Sequence, residues 1–535
     1  MLLRIVACWA MMLFACTLPG GQFELRDRFG RTVNERGIVL VDWEGQLANP
    51  AVELHLTPPP EAGPFPTTAT LTANSRRIYF DLPSRMAPEG PVKVVTFATA
   101  TSSVPVRVAI FPDRDGADES YDLTVRMNST PLTNHFPLRV VDQDVARSVE
   151  FPVVVDFSQD RTGFFADERR RKIVEQAAAD WAYFLADMNT DIVRAGDEAT
   201  FIWETNGFQH GNWVTNPSDY RGFLFYAHGI CGEERRSGGA ASAHAFQRTV
   251  QGELPLRRSG SYQAEVRGNY NALGWFLTRS DDDWSVTGNL MHEPNDLYSI
   301  AHHEVGHALF FNPAHTRFAE FKARGAVDAP KVVAYHGAPL PVDGEDHLTE
   351  MVDRLSGRGG FGGEYSETMP AGRWLITKLD LLVAESLGYR LRDTSAFRPL
   401  TVDCPKLPTG KVGQRYEYTL PVRGGIPSYD FQVVAGALPA GITLDRFTGS
   451  LQGTPLVVGP HEWMVRVAGQ DAVSPGVEVR LRFEVQPNSE PAQVTPAWAE
   501  ASGRGNSSEQ RIHPAGESHG PVLQSGLAPI RELLR

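Results

Sequence analysis

From Gln22 to about Val141 apolar and polar residues alternate in short runs, among them GIVLVDWEG, AVELHLTPPP, TATLTANSRRIYFDLPS, VPVRVAIFPDRDG and YDLTVRM. Gly, Pro, Asn or Asp closes each run. Alternation turns every second side chain to one face of a strand, and strands at this spacing with turns between them predict a β-sandwich. Near residue 150 the pattern changes. FPVVVDFSQD reads as a strand, and Asp167-Glu168 opens ERRRKIVEQAAADWAYFLADM. There Ile173, Val174, Ala177, Trp181, Phe184, Leu185 and Met188 recur at helical spacing and predict a long amphipathic helix. RGFLFYAHGI predicts a buried strand, and the Gly-rich stretch 229–239 a loop. Asn295 or Asp296 can cap a second helix, DLYSIAHHEVGHALFF, which Asn312-Pro313 stops because proline cannot continue it. Strand-like alternation returns near Thr401. From about Pro487 to Arg535, Ser, Gly, Pro, Asn and Glu dominate without periodicity, as in a disordered tail.

The chain has 535 residues, enough for three or four domains at about 100–200 residues each. The expected layout is a leader at 1–21, a β-sandwich at 22–148, a mixed helix–strand domain at 149–398, a second β-module at 401–487 and the tail at 488–535. The 64 acidic and 51 basic residues leave a net charge of −13, which repels phosphate backbones and argues against a nucleic-acid partner. Four cysteines, Cys8, Cys16, Cys231 and Cys404, are too few for a disulfide scaffold, so packing must hold the domains. The excess of glycine and proline (49 and 38) accords with many turns, hence many strands.

Arg4 precedes an apolar run from Ile5 to Leu18, too short for a membrane span and laid out like an export signal. The mature protein is then extracellular, periplasmic or on the cell surface. Leu13-Phe14-Ala15-Cys16 also has the form of a lipobox, which would attach the chain to a membrane through a lipid on Cys16. Asp113, Asp115 and Asp118 in PDRDGADES offer the hard oxygen ligands that Ca2+ takes, although a solvated acidic turn has the same composition.

The chemistry concentrates in His303-Glu304-Val305-Gly306-His307. Residues i and i+4 of a helix share a face one turn apart, so two imidazoles can bind one Zn2+ while Glu304 flanks them. A zinc-activated water with a carboxylate to take its proton is the chemistry of peptide-bond hydrolysis. Leu297, Ile300, Ala301, Leu309 and Phe310 supply the packed helix that the motif requires. His302 projects roughly 100° away from His303 and falls to packing or support. Catalytic zinc usually takes three protein ligands. His315, His347 and Glu350 are the candidates for the third. Glu350 with Asp353 is similar to the ligand helix of thermolysin-like enzymes, one residue short in spacing.

The zinc helix, then His347, then Ser366-Glu367-Thr368-Met369-Pro370 and the run WLITKLDLLVAESLGY resemble the metzincin clan of metallopeptidases over about 150–395. The resemblance implies an α+β metzincin-like catalytic domain, a protein or peptide substrate, and His303, His307 and His347 as zinc ligands. It implies Glu304 as general base, Met369 on a tight turn beneath the metal, and Tyr365 as a candidate donor to the oxyanion. Two positions depart from the clan. Its usual glycine is Phe310 here, and Pro313 stands where the third histidine normally lies. A distant third ligand is the arrangement of leishmanolysin-like metzincins, which favours His347. Asp346 and Asp380 are candidates for orienting a ligand or closing the last helix.

Residues 404–486 carry LPTGKVGQRYEYTL, GGIPSYDF, LPAGITLD and TGSLQGTP before a last strand, VRLRFEV. That order resembles the Ig-like, cadherin-like repeats of secreted bacterial proteins and implies a C-terminal Ig-like β-sandwich for adhesion, spacing or docking. The whole chain then reads as an exported zinc metalloendopeptidase. The alternatives are a cell-surface adhesion protein that keeps the metal without turnover, and a thermolysin-like enzyme with Glu350 as ligand.

Overall fold

A computed structural model describes residues 21–43, 47–80, 92–113, 116–143, 149–186, 192–203, 210–231, 241–244, 259–267, 275–276, 295–313, 315–344, 346–348, 353–356, 374–403, 406–470 and 476–488. The leader with Cys8 and Cys16, most of the Gly-rich loop, Met188, Cys404 and the tail lie outside them. Among the described residues no helix is long and apolar enough to cross a membrane.

The alternating N-terminal runs form two sheets. β1 (Glu24–Asp27), β3 (Val52–Thr57), β7 (Val104–Ile110) and β5 (Ile78–Phe80) make one, in the order β1-β3-β7-β5. β2 (Ile38–Asp42), β9 (Thr133–Asp142), β8 (Glu119–Met127), β4 (Thr67–Ala73) and β6 (Val92–Phe97) make the other, in the order β2-β9-β8-β4-β6. Pairing is antiparallel except between β2 and β9, where Ile38 lies opposite Leu138. Val52, Leu54 and Leu56 of β3 turn inward while Glu53 faces solvent, and they share a core with Phe97, Val108, Val125 and Phe136. Burial of every second side chain is what fixes this register.

In the central region β10 (Val153–Asp156), β13 (Phe223–Cys231) and β15 (Ser259–Arg267) run parallel, and β14 (Ala241–His244) adds an antiparallel edge. A hairpin of β11 (Ala199–Trp203) and β12 (Gly211–Thr215) lies between α1 and β13 in the chain. α1 (Glu168–Tyr183) starts at Asp167, whose side chain accepts from the Arg169 amide. It ends sooner than its apolar spacing predicts. Arg392 donates to the Phe184 carbonyl and the Ala186 amide to that of Arg390, so the chain leaves the helix to pair with 390–392. α2 (Leu297–Leu309) begins as expected at Asp296, whose carboxylate accepts from the Ser299 amide. It packs on α1, where the Trp181 indole donates to the His302 carbonyl at 2.9 Å and the Tyr298 hydroxyl donates to Asp180. α3 (Thr316–Arg324), α4 (Pro330–His336) and α5 (Lys378–Ser386) complete the helices described here. α5 is shorter than the run WLITKLDLLVAESLGY, because Thr377 and Asp380 cap each other reciprocally and begin the helix only at Lys378.

The C-terminal module is a second pair of sheets. Gly410–Lys411, Val477–Gln486, Gly459–Ala468 and Asp430–Gly436 form one sheet in that order. Tyr416–Thr419, Ser450–Gly453 and Ile442–Leu444 form the other. Leu451, Trp463, Val465, Leu481, Phe483 and Val485 fill the space between. This module is bolted to the N-terminal sandwich. Arg31, buried, donates to the Tyr429 carbonyl at 2.6 Å and the Arg446 carbonyl at 3.1 Å. It pairs with Asp27 at 2.7 Å and Asp430 at 3.5 Å, and lies over the Phe447 ring at 4.3 Å. The sandwich also enters the central region. Trp43, Leu47, Tyr79 and Phe111 share one core with Leu297, Leu379 and, from the C-terminal module, Ile426.

Candidate metal centre

α2 holds the HExxH motif on a face that is buried nearly throughout: His303 and Glu304 are each 3% exposed. His347 is brought to the same place by a short turn after α4. Its backbone carbonyl accepts from the Asp343 amide at 2.9 Å, and its own amide donates to Asp343 Oδ1 at 2.8 Å. The Val342–Leu348 bridge closes the turn, and Lys322 of α3 donates to the Gly344 carbonyl at 2.9 Å and to the Asp346 carboxylate. Asp346, at φ 73°, takes the left-handed conformation at the bend.

One ring nitrogen from each of His303, His307 and His347 lies within 4.8 Å of the others. The ring centroids stand 4.8 Å apart for His303 and His307, 5.3 Å for His303 and His347, and 5.0 Å for His307 and His347. Nε2 of His307 is 3.2 Å from Nε2 of His347. Two nitrogens bound tetrahedrally at the usual zinc–imidazole length are about 3.3 Å apart. The tautomer agrees. His307 Nδ1 lies 2.8 Å from the Phe311 carbonyl, which can only accept, so Nδ1 carries the hydrogen and Nε2 the lone pair. Asp343 Oδ2 is 3.4 Å from His347 Nδ1, close enough to bias that ring electrostatically though longer than a formed hydrogen bond. Burial first, and then the neighbouring His307, His347 and His302, hold the His303 imidazole well below its ordinary pKa, so it stays neutral and able to ligate. Mutually facing imidazoles, with the lone pair of His307 Nε2 turned inward, fit a divalent metal of the zinc type.

The other candidates fall elsewhere. His315 is buried at the N-cap of α3, with its ring 6.1 Å from that of Tyr389 and outside the histidine cluster. Glu350, Tyr365 and Met369 lie outside the described residues. Asp346 is engaged by Lys322, and Asp380 caps α5. His302 is a packing residue, stacked at 5.0 Å on Trp181 and 5.7 Å on Tyr298, and burial lowers its pKa to about 3. Two neighbours of the cluster belong to no motif in the sequence. Asp343 was legible as a carboxylate four residues before His347 in a Gly-containing turn; Trp374, whose ring centroid is 4.8 Å from that of His303, was absorbed into an apolar run read as helix.

The stretch proposed for calcium is divided. Asp118 is exposed, paired with Arg139 at 2.7 Å and accepting from the Asp142 amide at 3.1 Å. Asp113 is buried and groups with Asp42 and Asp142, one carboxylate oxygen of each within 4.8 Å of the rest. Arg77 stands in that group. It pairs with Asp42 at 2.6 Å and also with Asp113 and Glu119, while Asn49 donates to Asp42 at 2.9 Å. Asp115 lies outside the described residues.

Residues 398–486 match the He_PIG family, described as "Putative Ig domain", so the C-terminal module is Ig-like. No curated protein matches the chain. Among solved structures, a "putative alpha-galactosidase/melibiase" from Bacteroides fragilis is 20% identical over 16% of this chain and 17% of that one, at a TM-score of 0.15. The chain thus spans about a sixth of that protein's length. The CsuC-CsuE chaperone–tip adhesion subunit complex of Acinetobacter baumannii is 13% identical over 37% of this chain and 87% of that one, at 0.14. The human Desmocollin-1 ectodomain is 8% identical over 88% and 61%, at 0.15. At such scores no common fold is defined.

Proposed function

We propose that the protein is an exported zinc-dependent metalloendopeptidase with a metzincin-like α+β catalytic domain at about 149–398. The observation that carries this is the convergence of His303, His307 and His347, with Glu304 buried on the same helix. Zinc, when bound, would polarise the scissile carbonyl and make water acidic enough to attack it. The chain supplies the rest. His303 and His307 hold two positions from one helix face, and His347 closes the site from the turn clasped by Asp343 and Lys322. Glu304, fixed between the two helix ligands, takes the proton from the water and delivers it to the leaving amine. Spacing of 40 residues between His307 and His347 is in keeping with the leishmanolysin-like arrangement. Substrate would be protein or peptide, and the leader implies action outside the cytoplasm or on a membrane-anchored form.

The test is hydrolysis of casein by the purified chain, with zinc counted by elemental analysis. One zinc per chain, activity abolished by chelator and restored by Zn2+, and loss of zinc in His347→Ala but not in Glu350→Ala are expected. The opposite result for those two variants favours the thermolysin-like scheme. The Ig-like module favours a second reading, a surface-binding protein that keeps the metal without turnover. Zinc retained with no hydrolysis of any peptide library would select it.

A further inference from the structure

Among the described residues, Trp374 is an aromatic neighbour of the histidine cluster that no motif accounts for. Its ring meets that of His303 edge to face, at 4.8 Å between centroids and 69° between planes. Such contacts set the angle of the smaller ring, because the rim of one π-system is drawn to the face of the other. The backbone of Trp374 is held from two sides. Its amide donates to Ser299 Oγ at 3.0 Å, and Ser299 Oγ donates to Asp296 Oδ2 at 2.6 Å, so Trp374 is tied to the first turn of the helix that presents His303 one turn later. Two residues on, Ile376 bridges Leu47 of the N-terminal sandwich, and its carbonyl accepts from the Ala48 amide at 2.8 Å. Directly after that, Thr377 caps α5. The backbone that carries the indole is therefore held by α2 and, through the next residues, by the sandwich and α5, and the ring leans on one imidazole of the cluster.

We propose that Trp374 is a positioning residue for the metal centre, the aromatic wall that orients the His303 ring toward the shared metal. The proposal rests on the three histidines being a metal centre. It does not require Trp374 to touch substrate.

The experiment uses the full chain stripped of metal and titrated with Co2+, whose visible absorption reports ligand geometry, with Zn2+ affinity measured by competition against a chromophoric chelator. Trp374→Ala should weaken Zn2+ binding about tenfold, as loss of a supporting residue around a ligand does, and shift the cobalt band. Trp374→Phe, which keeps an aromatic ring against His303, should recover most of the affinity and the wild-type band. A wild-type band and affinity in Trp374→Ala overturn the proposal, and so does a Phe variant as impaired as Ala. A wild-type chain that takes up no cobalt or zinc overturns the metal centre itself, a failure distinct from a metal-binding chain indifferent to position 374.

Discussion

Among the described residues two clusters bring three metal-capable side chains within the same 4.8 Å: His303, His307 and His347 in one, Asp42, Asp113 and Asp142 in the other. They differ in what already occupies the chemistry. In the acidic cluster a guanidinium sits among the carboxylates, with Arg77 on Asp42, Asp113 and Glu119, and Asn49 donating to Asp42. Burial is the largest influence on Asp42 and pushes its carboxyl up, against the opposing pull of Asn49 and Arg77. Its cation is thus built in. In the histidine cluster the imidazoles face one another, and the Phe311 carbonyl makes His307 Nδ1 the donor, which leaves Nε2 as an acceptor turned toward His347. Proximity alone does not mark a metal site. Convergent imidazoles make the stronger candidate.

The sharpest way to break this contrast is at the base. Glu304→Gln should lower kcat on a peptide substrate by about 10²–10⁴-fold while zinc content stays at the wild-type level; a variant that keeps its turnover would remove the peptidase assignment. Next, Arg77→Met leaves Asp42 and Asp113 buried without their cation and should cost about 3–5 kcal/mol in chemical denaturation. Added Ca2+ should raise the melting temperature of that variant and leave the wild type unmoved; a calcium-stabilised wild type would erase the distinction between the clusters. Asp343→Asn keeps the shape of the turn and removes the charge beside His347, and should weaken zinc by about 10–100-fold, read by chelator competition. His315→Gln should change zinc affinity least, within about twofold of wild type, because its ring faces Tyr389 rather than the cluster.

What the sequence disclosed follows from how local each determinant is. The HExxH helix was legible because its two histidines, its cap at Asp296 and its stop before Pro313 all lie within about 20 residues of one another. The β-alternation of the N-terminal and C-terminal runs was legible for the same reason. His347 was not: it lies 40 positions beyond His307, and only resemblance favours it over His315. Asp113 groups in sequence with Asp115 and Asp118 because they lie within six residues, whereas its partners are distant: Asp42 comes from β2 and Arg77 from the turn before β5. Trp374 was read as helix because Trp374-Leu375-Ile376 continues the apolar spacing of α5. The Thr377–Asp380 capping pair, present in the sequence, marks where that helix begins. Leu185 illustrates the limit from the other side: its apolar character is real and it is fully buried, but in a bridge to Leu391 rather than in α1.

Arg31 carries a consequence for the order of events in biosynthesis. Its guanidinium is satisfied by carbonyls more than 390 residues further along, at Ser428, Tyr429 and Arg446. A ribosome that has finished the sandwich and the histidine cluster has made Asp27 but not yet the carbonyls that complete the shell of this cation. Until the Ig-like module emerges and folds, the Arg31–Asp27 pair lacks the Ser428, Tyr429 and Arg446 carbonyls that cover it in the finished chain. Completion of the C-terminal module is then the step that seals the N-terminal one, so a chain truncated before about residue 430 would be released with its first domain still unsealed.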